Sequence, residues 1–300
     1  MSAATRAAVR AERAARRVTA PPTAGGAGRS GRAPWLKGLA MLAALVVYAL
    51  PVLLVLGNSL KTKAEILSDP LGLPAAPTLD NYVEAFGTMN YLHALGNTLA
   101  ITVSAVVLIC FFGAMTAYFI TRVAWRLNKV LFYAMVLSML VPFQVLMIPM
   151  VKLLGSIGML SYSWSVVYIY LAMGLPLAVF MYSGFIRSIP RELDEAAQLD
   201  GCSRLQTFFR VIWPLLRPVT LTLVILNALF FWNDFLMPFL VLQRPEQRTL
   251  TLATLTFVQS HTADYGLMMA ALIMTVLPIF VAYVFLQRHV IEGMVRGAVK

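Results

Sequence analysis

Six apolar runs, each near the ~20 residues that a helix needs to cross ~30 Å of hydrocarbon, dominate this chain. They lie at roughly Trp35 to Leu56, Leu95 to Ile120, Val130 to Met150, Trp164 to Phe185, Val219 to Leu242 and Leu267 to Leu286. Inside a bilayer the backbone must satisfy its own hydrogen bonds, so runs this long imply helices. With 60% hydrophobic and 12% charged residues, the expected fold class is an all-α polytopic membrane protein with six transmembrane helices.

Charge placement predicts orientation, because Lys and Arg near span ends are retained in the cytoplasm. With both termini inside, 19 of the 24 Lys and Arg fall on cytoplasmic segments. The outer side keeps Lys61, Lys63, Lys152, Arg244 and Arg248. A net charge of +11 then reflects topology and attraction to anionic membrane lipid, and nucleic acid is not an expected partner.

Residues 1–34 are rich in Ala, Arg, Gly and Pro without an apolar stripe, and predict a disordered basic cytoplasmic tail. Residues 35–94 comprise the first transmembrane helix and an extracytoplasmic segment. Residues 95–290 form the transmembrane core, with a cytoplasmic loop at 187–218, and 291–300 are a cytoplasmic C-terminal tail. The first apolar run starts too late and is too long for a cleavable signal peptide. Pro51, Pro142, Pro149, Pro176, Pro238 and Pro278 fall within the spans. Each interrupts a helix hydrogen bond, as either a static kink or part of a moving pathway.

Chemistry within the chain has little to stand on. Gly26 to Gly31 match GxGxxG formally, but no strand precedes them and no Lys-Ser/Thr pair follows. No other Gly-rich segment resembles a phosphate-binding loop. His93, His261 and His289 are isolated and lack metal-ligand spacing. Cys110 and Cys202 sit in a span and in a cytoplasmic loop, where a disulfide is not expected. No catalytic and no metal site is therefore predicted.

Two polar clusters remain. In the fifth span Asn227, Trp232, Asn233 and Asp234 are candidates for the translocation pathway or its outer gate, the alternative, and for Asn227 the preferred one, being a satisfied interhelical hydrogen bond. At ~1.5 Å per residue Asp234 lies ~23 Å along that span, where an ionised group needs a partner or water. In the 187–218 loop, Ser188 to Pro214 reads as two short helices broken at Gly201, with Ser203 and Gln206 capping the second. Leu193, Ala196, Ala197 and Asp200 share one helical face, with Glu195 beside them. The alanines allow close approach by another protein, so the loop is expected to dock one.

That loop resembles the signature of the membrane subunits of binding-protein-dependent ABC importers: EAA, three residues, Gly, nine residues, an aliphatic residue, one residue, Leu, Pro. Glu195-Ala196-Ala197, Gly201, Val211 and Pro214 match it, and Trp213 stands where Leu is usual. Ser59-Leu60-Lys61-Thr62 with Asn81-Tyr82, Phe231 to Phe235, and the ending from Gln287 resemble the carbohydrate branch, in particular the smaller permease of maltose-type and glycerol-phosphate-type systems.

The resemblance implies a type I ABC importer permease fold in the bacterial inner membrane, carrying a sugar or related polyol. It implies a heterodimer with a second permease subunit, two ATPase subunits and an extracytoplasmic sugar-binding protein. Glu195, Ala196, Ala197, Asp200, Gly201 and Pro214 would couple to the ATPase. This chain itself would hold no cofactor, because ATP and Mg would be bound by the partner ATPase. A secondary transporter or a channel subunit would also suit six spans, but neither needs such a loop.

Overall fold

The computed structural model describes residues 34–258 and 264–298; the predicted tail at 1–34, apart from Pro34, and His261 lie outside them. The chain divides into two units after Val52. The first is the opening part of helix α1 (Pro34–Ser59), which carries Pro51. Everything below concerns the second.

Its centre is a pair of helices, α4 (Tyr91–Arg122) and α7 (Ser163–Ser188). Along α7, Val166, Tyr170, Gly174, Ala178, Tyr182 and Ile186 are buried at a spacing of four. On α4, Ile101, Ala105, Ile109, Gly113 and Ala117 do the same. Ridges with this period interdigitate, and small residues let the backbones come close. A Cβ on Gly113 would stand 2.7 Å from the Ala178 Cβ, and one on Gly174 2.5 Å from the Ile109 Cδ1. These contacts pair rising numbers with rising numbers, so α4 and α7 run in the same direction.

Between them the chain returns through α5 (Leu127–Ser138) and α6 (Phe143–Ser156). The sequence predicts one span over Val130 to Met150. Instead the two helices meet at 101°. Pro142 has no N–H to donate and disfavours helix at Val141, so the chain breaks where a mere kink was expected.

After α7 come α8 (Glu192–Leu199), α9 (Arg204–Thr207), a π-turn (Phe208–Ile212) and α10 (Trp213–Leu215). Helix α11 (Arg217–Asn233) leaves this segment at 73°. The predicted fifth span to Leu242 is cut at Asp234–Phe235 and resumes as α12 (Leu236–Val241). The cause is local: Asp234 Oδ1 accepts the Leu236 N–H at 3.0 Å, a side-chain turn that competes with the helix. Helix α13 (Leu250–Ala253) and α14 (Leu255–Val258) lead to α15 (Tyr265–Ala298). That last helix continues through most of the expected C-terminal tail. Among the described residues four helices are long and apolar enough to cross a membrane, or up to six if each bent pair is one span.

The segments Ser59–Thr62 and Asn81–Tyr82 meet at the end of the bundle remote from Arg122. Asn81 Nδ2 donates to the carbonyls of Ser59 and Lys61, both at 2.8 Å, and the Ser59 and Tyr82 hydroxyls are 2.7 Å apart. Lys61 is fully buried, and its ammonium donates to the Asp69 carbonyl at the C-terminus of α2 (Lys63–Ser68). A cation there also meets the negative end of the helix dipole. Asn81, in α3 (Asp80–Thr88), packs against Gly266 at the start of α15.

Candidate functional site

The 187–218 segment has the two-helix form its sequence predicts. Helix α8 ends in a Schellman turn: Gly201 N–H donates to the Gln198 carbonyl and Cys202 N–H to the Ala197 carbonyl, both at 3.0 Å. Gly201 has φ +84°, a region where a side chain crowds the following carbonyl. Two residues on, Ser203 Oγ accepts the Gln206 N–H at 3.3 Å, while Gln206 Oε1 accepts the Ser203 N–H at 2.8 Å. That capping box starts α9.

Burial splits the predicted face of α8. Leu193, Glu195, Ala196 and Asp200 are exposed, but Ala197 turns inward onto the protein's own core. The outward face of α8 is therefore Leu193, Ala196, Leu199 and Asp200, with Leu205 following in α9. Leu199 is 89% exposed and Leu205 60%.

What holds α8 in place was missed by the sequence reading. Asp194 turns inward, and its Oδ2 lies 3.0 Å from Arg122 Nε at the end of α4. Asp194 Oδ1 accepts the Tyr118 hydroxyl at 2.8 Å. Arg122 Nη2 donates to the Ile189 carbonyl at the end of α7. The guanidinium thus sits where two helix C-termini converge, and the carboxylate in the first turn of a third, both electrostatically favoured places. A spacing of 72 residues gives no periodic signal; the one available clue is an Asp on the otherwise inward face of an amphipathic helix.

The second half of the segment packs by aromatic contact. Phe208 is buried, with its ring 5.3 Å from Tyr118 and 5.8 Å from Trp213. Trp213, at the position that departs from the signature, also meets Phe111 edge-on at 6.4 Å. Pro214 is exposed. Its missing N–H and its ring rule out an ordinary helical bond to Arg210, and the chain takes a wider turn in which Trp213 N–H donates to the Phe208 carbonyl.

Along α11 toward the end remote from Arg122, the four pathway candidates are not equivalent. Asn227 is buried and donates to the Leu223 carbonyl, with its oxygen against Gly174. Trp232 is buried, and its indole N–H donates to the Thr275 carbonyl, joining α11 to α15. Asn233 is exposed. Asp234 Oδ2 accepts the Tyr170 hydroxyl at 2.8 Å, beneath a stack of Tyr170 on Phe231 at 4.2 Å. Asn233 and Asp234, with Leu229, Phe230, Phe235 and Leu236, line an open concavity of about 640 Å³. Among the described residues no three His, Cys, Asp or Glu side chains gather closely enough to hold a metal.

A family model described as "Binding-protein-dependent transport system inner membrane component" matches residues 109–296, which take in the C-terminal part of α4, all of α7 and the whole loop. The chain belongs to this family. As an inner membrane component it has relatives along nearly its full length. It is 40% identical to the probable starch degradation products transport system permease protein AmyC of Thermoanaerobacterium thermosulfurigenes, over 83% of this chain and 91% of that protein. It is 35% identical to the melibiose/raffinose/stachyose import permease protein MelC of Bacillus subtilis, over 91% and 99%. A chain of a bacterial ABC transporter involved in the import of the acidic polysaccharide alginate superposes with TM-score 0.75 over 87% of this permease and 97% of that chain, at 20% identity. The fold is accordingly that of an ABC importer permease.

Proposed function

We propose that this permease forms half of the translocation pathway of an ATP-driven importer for a sugar or related polyol, with oligosaccharides the leading class. The relatives named for starch products and for melibiose, raffinose and stachyose support that cargo. A second, different permease supplies the other half, and an extracytoplasmic binding protein delivers the sugar. Two copies of a separate ATPase bind ATP and Mg and perform the hydrolysis.

The observation that carries the coupling role is the exposed face of α8 and α9, closed off by the turn at Gly201. Apolar Leu193, Leu199 and Leu205 would seat in the ATPase, with Ala196 permitting close approach and Glu195 and Asp200 offering charge. In this reading the Arg122 end of the bundle is cytoplasmic, both termini are inside, and the Asp234 concavity opens toward the outer side. Asn233 and Asp234 are its polar lining; Asn227 and Trp232 support the helices behind it.

The test is co-expression of this chain with its genomic neighbours, purification in lipid nanodiscs, and an assay of ATP hydrolysis. A second permease and an ATPase should accompany it, and maltotriose or raffinose with the cognate binding protein should stimulate hydrolysis. A chain that purifies alone and carries solute without ATP would sink the proposal.

A further inference from the structure

Helix α8 carries three acidic residues, and two of them, Glu192 and Glu195, are exposed. Asp194 is turned the other way, with a side chain only 8% exposed against an Arg122 side chain at 10%. A carboxylate buried behind a docking surface makes no contact with what docks there. Removing either charge from water is unfavourable unless the geometry repays it, and apolar residues would pack this site as well or better. The arrangement is thus costly for adhesion alone, and its geometry suggests a different use.

Arg122 bonds to the end of α7 and pairs with α8 at the same time, at Ile189 and Asp194. The Arg122–Asp194 pair meets as charges at 3.0 Å without hydrogen-bond alignment. Direction is set by the Tyr118 hydroxyl on the other carboxylate oxygen. Tyr118 in turn rests on Phe208 of the π-turn. Three groups, two of them one helical turn apart on α4, therefore join α4, α7, α8 and the segment after Gly201.

We propose that Tyr118, Arg122 and Asp194 act as a clamp that makes α8 and the 32-residue α4 move as one body, so that displacement of the docked loop is delivered to the membrane core. The proposal rests on the coupling reading above. Arg122 and Tyr118 are positioning residues: neither is on the exposed face of α8, and each acts through Asp194.

The test uses the complete complex in nanodiscs, with Cys110→Ala and Cys202→Ser and spin labels at Glu192→Cys on α8 and Val107→Cys on an exposed turn of α4. The distance between labels is read without nucleotide and after trapping with MgATP and vanadate. With the clamp intact, the distance should be the same in both states. In Tyr118→Phe and in Asp194→Asn it should change by a helical turn or more, about 5 Å, while the ATPase still co-purifies and still hydrolyses ATP. Asp194→Glu, which keeps the charge, should restore the fixed distance. A distance that changes with the clamp intact, or that stays fixed in both Tyr118→Phe and Asp194→Asn, would overturn the proposal. Loss of ATPase from the unsubstituted complex would instead strike the coupling reading, so the two failures are separable.

Discussion

Replacing Gly201 tests the loop most directly, because its surroundings isolate one physical cause. Gly201 has φ +84°, and a Cβ built on it would meet no other atom within 4 Å. A side chain there is therefore penalised by its own backbone and not by neighbours. Left-handed geometry costs an L-residue about 1–2 kcal/mol, and a β-branched residue pays more because of its stiff χ1. If the turn is to persist, Gly201→Val should lower stability by roughly 2–3 kcal/mol. If it yields, the Schellman bonds to Gln198 and Ala197 are lost and Leu199 no longer points as docking requires. Asn tolerates this conformation, so Gly201→Asn should retain ATPase while Gly201→Val releases it at equal membrane expression. Co-purified ATPase per permease is the assay. Equal retention by Val and Asn, or equal loss, would refute the argument that backbone handedness is what matters at this position.

Two further substitutions probe the bundle. Gly113→Ala places a Cβ 2.7 Å from that of Ala178, and neither helix can yield without shifting backbone. It should destabilise by about 1–3 kcal/mol, read as thermal unfolding in detergent, and Ala178→Gly in the same chain should recover most of the loss. Lys61→Met keeps the stem but leaves the Asp69 carbonyl without its ammonium, a loss of about 1–3 kcal/mol; limited proteolysis between Lys63 and Thr78 should become faster, and an unchanged cleavage rate would show that the ammonium does not hold that segment.

Local rules made the loop legible: a Gly demanding positive φ, a Ser-x-x-Gln cap and an apolar stripe all lie within a few residues of one another. The longest spans were legible for the same reason, since hydropathy needs no partner. The breaks at Pro142 and Asp234 were less so, because a proline inside an apolar run announces an interruption but not its angle, and 101° lies far beyond a kink. Sequence requires a partner or water for Asp234 but cannot name it; Tyr170 and the Leu236 amide occupy both its oxygens. Periodicity alone places Ala197 outward, and only packing against the core distinguishes the two sides of so short a helix. The Arg122–Asp194 pair joins residues on separate helices, and no window of sequence contains both.

The π-turn at Phe208–Ile212 has a consequence for everything downstream of it. An ordinary helix advances about 100° per residue, and a π-turn inserts one residue that the ladder does not count. The inserted residue resets the rotational phase of Trp213 relative to Phe208, bringing the indole to Phe208 and Phe111 together. With Pro214 anchoring the insertion, the wide turn cannot drift along the chain. The loop thus carries its own azimuth setting, and a version one residue shorter would aim the start of α11 at a different neighbour even with every named side chain retained.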